Sequence, residues 1–93
     1  MTGEPLDLGH GVTVTFTAWR DYERAGLLER HPGHDGEEWS GSVLFDLPGV
    51  REAFPGQPVW QVNSLDPLDI SPSLLCRACG HHGFIRAGRW VPV

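Results

Sequence analysis

The segment Val12–Trp19 is the strongest constraint on what this chain folds into. Val12, Val14, Phe16 and Ala18 alternate with Thr13, Thr15, Thr17 and Trp19. A period of two in β-branched and aromatic residues gives one apolar and one hydroxyl-rich face, the pattern of a half-buried antiparallel strand. Such a strand needs partners, and the rest of the chain offers only short ones. Twelve Gly and eight Pro among 93 residues cut every later segment with turns.

Taken in order, residues 1–11 read as an irregular lead-in. After Val12–Trp19 the pattern predicts a bend near Arg24–Gly26 and a short strand from Leu27 to His31. Pro32-Gly33-His34-Asp35-Gly36 is a loop by composition, and Trp39–Leu47 returns as the second arm of a hairpin, with Val43, Phe45 and Leu47 on one face. Val50–Phe54 allows at most one helical turn. Val59–Asn63 and Leu68–Ser71 are further short strands, and Pro72, which lacks a backbone donor, marks an edge or a strand end. Phe84–Val93 closes the chain as a hairpin around Ala87-Gly88. The expected fold is therefore mainly β: a small antiparallel roll or sandwich of five or six short strands, ending in a zinc-knuckle hairpin and forming one domain over residues 1–93.

A domain of this size buries only roughly 60–65% of the surface its unfolded chain exposes, and small domains often add a metal, a disulfide or a partner. Net charge is −5, with twelve acids against seven Arg and no Lys. That balance argues against non-specific binding to nucleic acid or anionic membrane. Residues 76–93 reverse the balance locally, carrying Arg77, Arg86 and Arg89 and no acid. Arg86, Arg89 and Trp90 would suit stacking and pairing with nucleic acid; the competing reading, which the overall charge favours, packs Trp90 and Val91 and leaves the arginines in water. No apolar stretch approaches the length of a membrane span. Met1–Pro5 has no basic start followed by an apolar run, so no secretory signal is expected there and a cytoplasmic compartment fits.

Both cysteines lie in Cys76-Arg77-Ala78-Cys79-Gly80-His81-His82. Two cysteines three residues apart make no disulfide framework. In a Cys-x-x-Cys turn both sulfurs reach one tetrahedral zinc at about 2.3 Å, and the following Gly takes the positive φ the turn needs. His82 is the expected third ligand, with His81 its rival. The fourth comes from His10, His31, His34, a carboxylate or water, and His31, at a strand end beside Pro32, is preferred. A redox pair is the other reading of the spacing, but such a pair opens a helix after a strand, and no helix pattern surrounds Cys76. A fourth protein ligand makes the site structural, whereas water there makes it open to catalysis.

Two weaker constellations complete the inventory. His31-Pro32-Gly33-His34-Asp35-Gly36-Glu37-Glu38 gathers histidines and acids, but loops are built from these residues. Ser71 and Ser73 near His81 and His82 lack the glycine-flanked serine of a nucleophile elbow.

The C-terminal motifs carry two resemblances. Cys76–Gly80 is similar to one knuckle of a zinc ribbon, without that family's second Cys-x-x-Cys. Pro72-Ser73, Cys79-x-x-His82, Phe84-Ile85 and Gly88 with Trp90 resemble the C-terminal segment shared by a family of short phage and bacterial proteins. The likeness covers residues 71–93. It implies a small zinc-containing β-domain of phage or prophage origin, in the cytoplasm of a bacterium or infected host or in the virion. Because some bacterial members sit beside ubiquitin-like conjugation components, it also implies a protein partner. The expectation is a non-enzymatic, zinc-stabilised interaction module, with a metal-dependent hydrolase as the alternative and nucleic-acid contact a weaker one.

Overall fold

The structure is a computed structural model that describes residues 4–33 and 36–93. It is mainly β, as the alternation predicts. Eight strands follow in chain order: β1 (Leu6–Gly9), β2 (Val12–Trp19), β3 (Tyr22–Pro32), β4 (Glu38–Phe45), β5 (Val59–Leu65), β6 (Leu68–Leu75), β7 (His82–Arg86) and β8 (Arg89–Pro92). One helical turn, α1 (Val50–Ala53), sits between β4 and β5. All eight strands belong to one sheet in the order β1 to β8, and β1 comes back against β8, so the wall is nearly closed and barrel-like.

The architecture is one curling sheet rather than a roll or sandwich of five or six strands. Three local readings account for the difference. Residues 6–9 form a strand instead of a lead-in, paired through Leu6–Val14 and Asp7–Thr13. The turn after β2 lies at Arg20-Asp21 rather than Arg24–Gly26, so β3 runs unbroken for 11 residues. Arg20 takes φ 53° there, a conformation that no Gly or Asn announces, and its guanidinium lies 4.3 Å from the Trp19 ring. β6 continues through Pro72 because the register with β7 shifts between Ile70 and Leu74, and a bulge relieves the missing donor. The turn at Ala87-Gly88 falls where expected, between paired Arg86 and Arg89.

Val12, Val14 and Phe16 point into the core from β2, with Leu27 from β3, Val43 and Phe45 from β4, Leu68, Ile70 and Leu74 from β6, and Ile85 and Trp90 from β7 and β8. Ala18, assigned to the same face as Phe16, is exposed.

One joint in the wall is weak. Every neighbouring pair is antiparallel except β4–β5, which is parallel and pairs only Leu44–Val59 and Phe45–Trp60. β4 starts six residues earlier, at Glu38, and β6 runs on to Leu75, past its last register pair with β5 at Ser71. Both strands overhang the start of β5, and a cleft opens between them.

Phe45 is fully buried and meets Phe16 edge to face, with ring centroids 6.4 Å apart. Phe45→Ala is expected to cost about 3–5 kcal/mol, measured as a lower midpoint in urea with an unchanged slope.

Candidate metal centre

Strand β3 supplies the buried half of the site. Ala25, Leu27, Glu29 and His31 alternate on its inward face, and Glu29 and His31 are 5% and 3% exposed. Two polar side chains this deep need partners, and they find each other. His31 Nδ1 lies 2.8 Å from both Glu29 oxygens. Burial pushes the Glu29 carboxyl above its ordinary value, and the bonds from His31 pull it part of the way back. Burial likewise presses the His31 imidazole down, but the Glu29 hydrogen bond and charge, with the Cys76 sulfur, outweigh it and raise its pKa. With the proton held on Nδ1, Nε2 is aimed away from Glu29, and there it meets sulfur: Cys79 Sγ is 3.2 Å off.

The turn between β6 and β7 supplies the other half. Cys76 N–H donates to the His81 carbonyl at 2.8 Å, and Gly80 N–H to the Cys76 carbonyl at 2.7 Å. Gly80 takes φ 77°, the conformation expected after the second cysteine. The turn aims backbone N–H groups at the sulfurs, those of Ala78 and Cys79 at Cys76 and that of His81 at Cys79. Burial pushes the Cys76 thiol up, yet these donors and the Cys79 and His31 side chains prevail and lower it. Burial also raises Cys79, opposed by the His81 N–H and reinforced by hydrogen bonding to Cys76. The turn thus favours a thiolate at Cys76, the form that binds metal.

One ligand atom each from His31, Cys76 and Cys79 lies within 4.8 Å of the other two. The structure therefore brings together three of the four residues picked from sequence. His82, expected as the third ligand, is not in this group; its Nε2 meets Ser73 Oγ at 2.8 Å. His10 sits exposed in the β1–β2 turn, and His34 and Asp35 lie outside the described residues. The Ser73–His82 contact realises one of the serine–histidine pairings, but no carboxylate bonds the His82 ring among the described residues.

His81 completes the surroundings. Its ring stacks on His31, with centroids 4.2 Å apart and planes within 7°, and on Trp90 at 4.7 Å on its other side. Burial, with the neighbouring His31 charge, holds its pKa below the ordinary value. Trp90 reaches this position because it lies across Gly83, where an added Cβ would fall 2.5 Å from the indole carbons. Trp90 is 3% exposed, so it packs, whereas Val91, expected to pack beside it, is 41% exposed.

Glu29 was not singled out from sequence. The signal was present, because alternation along Leu27–His31 puts Leu27, Glu29 and His31 on one face. The open cleft beside the group has a volume of about 180 Å³ and is walled by Ser40–Val43, Trp60 and Leu74–Cys76, with Glu29, His31 and His81 at the metal-ligand side.

Fold and site together define a class: a mainly-β, barrel-like domain with a buried carboxylate–histidine pair facing a Cys-x-x-Cys turn. Comparison with known proteins narrows it no further, since no family model, no curated protein and no solved structure matches the chain. Among the described residues no helix is long and apolar enough to cross a membrane.

Glu29→Gln removes the charge that orients His31 while keeping an acceptor. Outer-shell changes of this kind lower metal affinity roughly 10–100-fold, and zinc competition against a chromophoric chelator is expected to show a loss in that range.

Proposed function

We propose that this protein is a small zinc-binding β-domain, with zinc held by His31 Nε2, Cys76 Sγ and Cys79 Sγ, and that it serves as a non-enzymatic accessory or protein-interaction module. One observation carries the zinc reading: a buried imidazole, its other nitrogen fixed by a carboxylate, faces two cysteine sulfurs in a knuckle turn. Imidazole with two thiolates is a donor set that suits zinc, and the Glu29–His31 pair is the outer-shell partner that metal-bound histidines have. The metal would link β3 to the β6–β7 turn across 48 residues of chain, on the two sides of the weak β4–β5 joint. The interaction reading is supported by exposed apolar residues at the same end, Leu75 on β6, Val91 on β8, and Val93 just beyond it, which are 54%, 41% and 73% exposed. Apolar side chains gathered at one place on a surface mark contact sites. The likeness of residues 71–93 to phage and bacterial proteins adds a phage or prophage origin to this reading.

A second reading, metal-dependent hydrolysis, is favoured by the cleft against His31, Cys76 and His81, because hydrolytic zinc sites keep an open position.

The purified protein is expected to carry one zinc per chain by elemental analysis. Cys76→Ser with Cys79→Ser is expected to lose the zinc and lower Tm by more than 10 °C, as does a strong chelator on the native chain. A metal-free native chain whose Tm the double substitution leaves unchanged would overturn the proposal. Zinc-dependent turnover of a small ester, abolished by His31→Ala, would replace the module by the hydrolase.

A further inference from the structure

We infer that Cys76 and Cys79 form a reversible redox switch on this zinc, in which a peroxide joins the two sulfurs in a disulfide and the metal leaves. The inference rests on the zinc reading above and adds to it the regulation of that site.

The pair is arranged to close on itself. Cys76 and Cys79 are the only cysteines of the chain, so a disulfide within the chain can only join these two. Their side chains hydrogen-bond to each other, and the two sulfurs and a ring nitrogen of His31 all lie within 4.8 Å of one another. The Gly80 N–H donates to the Cys76 carbonyl at 2.7 Å and folds the backbone between them into a turn. Bringing the sulfurs from contact to the roughly 2.05 Å of a disulfide is a local movement, because both residues belong to the β6–β7 turn and not to a strand.

Both sulfurs are within reach of a small oxidant. Each cysteine is half-buried. The cleft of about 180 Å³ borders Cys76. A second hollow, of about 240 Å³, borders Cys79 beside Pro32, Gly33, Gly80 and His81. A peroxide of a few heavy atoms fits either one, since a water takes about 30 Å³ of its liquid. Oxidation of cysteine follows thiolate character and exposure, and a neighbouring cysteine captures the first product. Coordination supplies the thiolates, because a metal-bound thiol is deprotonated.

One thiolate attacks an oxygen of hydrogen peroxide: an S–O bond forms, the O–O bond breaks and hydroxide leaves, giving a sulfenic acid. The second thiolate attacks that sulfur, the S–S bond forms, the S–O bond breaks and a second hydroxide leaves. Two electrons pass from the sulfurs to the peroxide. Neither sulfur is then an anionic ligand, so the zinc loses two of its proposed ligands and departs.

Oxidation does not replace the clip that it removes. The metal would tie His31 on β3 to Cys79, 48 residues away, whereas the disulfide links two residues of one turn. In the chain-entropy account, stabilisation by a cross-link grows with the loop it closes. The Cys76–Cys79 bond does nothing to join β3 to the knuckle across the β4–β5 ladder of two residue pairs, and the domain becomes less stable.

The test treats the zinc-loaded full chain with hydrogen peroxide and follows intact mass, zinc release to a chromophoric chelator and Tm. The expected result is the loss of two hydrogens per chain, one zinc released for each disulfide formed, and a Tm that falls to about that of the chain stripped by a chelator. Dithiothreitol with added zinc restores all three. A chain that carries zinc and keeps both the metal and its reduced thiols in excess peroxide would overturn the inference. So would oxidation that adds oxygen atoms or joins two chains in place of the internal bond. Both outcomes leave the zinc reading intact. A chain that binds no zinc at all would overturn both.

Discussion

The hydrogen-bonded pair of Glu29 and His31 is the interaction on which the site depends. A carboxylate and an imidazole, both almost completely buried, are costly to desolvate unless paired. Pairing them satisfies Nδ1 and leaves Nε2 directed at the half-buried cysteine sulfurs. The polar end of β3 is thus tolerated in an otherwise apolar row, Ala25 and Leu27 preceding it, because the Cys76–Cys79 turn stands where Nε2 needs a partner. The same arrangement explains why the knuckle folds back over the sheet rather than projecting from it.

The topology gives this contact a mechanical meaning. A chain that runs β1 to β8 in order would close by pairing its ends, but the parallel β4–β5 step holds by two residue pairs only. Among the strand ladders from β1 to β8 it has the fewest paired residues. β3 lies before that step and the β6–β7 turn after it, so a metal shared between them, as proposed, would span the weak joint without lengthening any strand. In a chain this short, with a correspondingly small core, a bound metal contributes stability that additional apolar burial cannot. The overhang that weakens the joint also creates the cleft.

Much of this was legible in the residues. The strict alternation of Val12–Phe16 defined the face that is buried, and Val43, Phe45, Leu68 and Ile70 fell inward as their pattern required. The spacing of Cys76 and Cys79 with Gly80 specified the turn, and His31, at a strand end beside Pro32, is the distant histidine that the fold brings near it. What escaped was set by neighbours across strands. Arg20 adopts a left-handed turn without a residue that favours it, held beside Trp19, so the start of β3 was misplaced. His82 follows Cys79 at a ligand-like spacing, but entry into β7 directs it to Ser73. His81 is instead drawn against His31 because Gly83 lets Trp90 lie across the strand. Glu29 was readable from the parity of β3, yet nothing in the sequence says that a glutamate on an inward face serves a histidine two residues on.

The central claim is that His31, Cys76 and Cys79 bind one zinc together, and X-ray absorption spectroscopy of the zinc-loaded protein tests it most directly. The account predicts two sulfur scatterers at about 2.3 Å and a first shell completed by imidazole nitrogen at about 2.0–2.1 Å with one further light atom. His31→Ala should remove an imidazole contribution from that shell. A first shell without sulfur, or one that His31→Ala leaves unchanged, would contradict it.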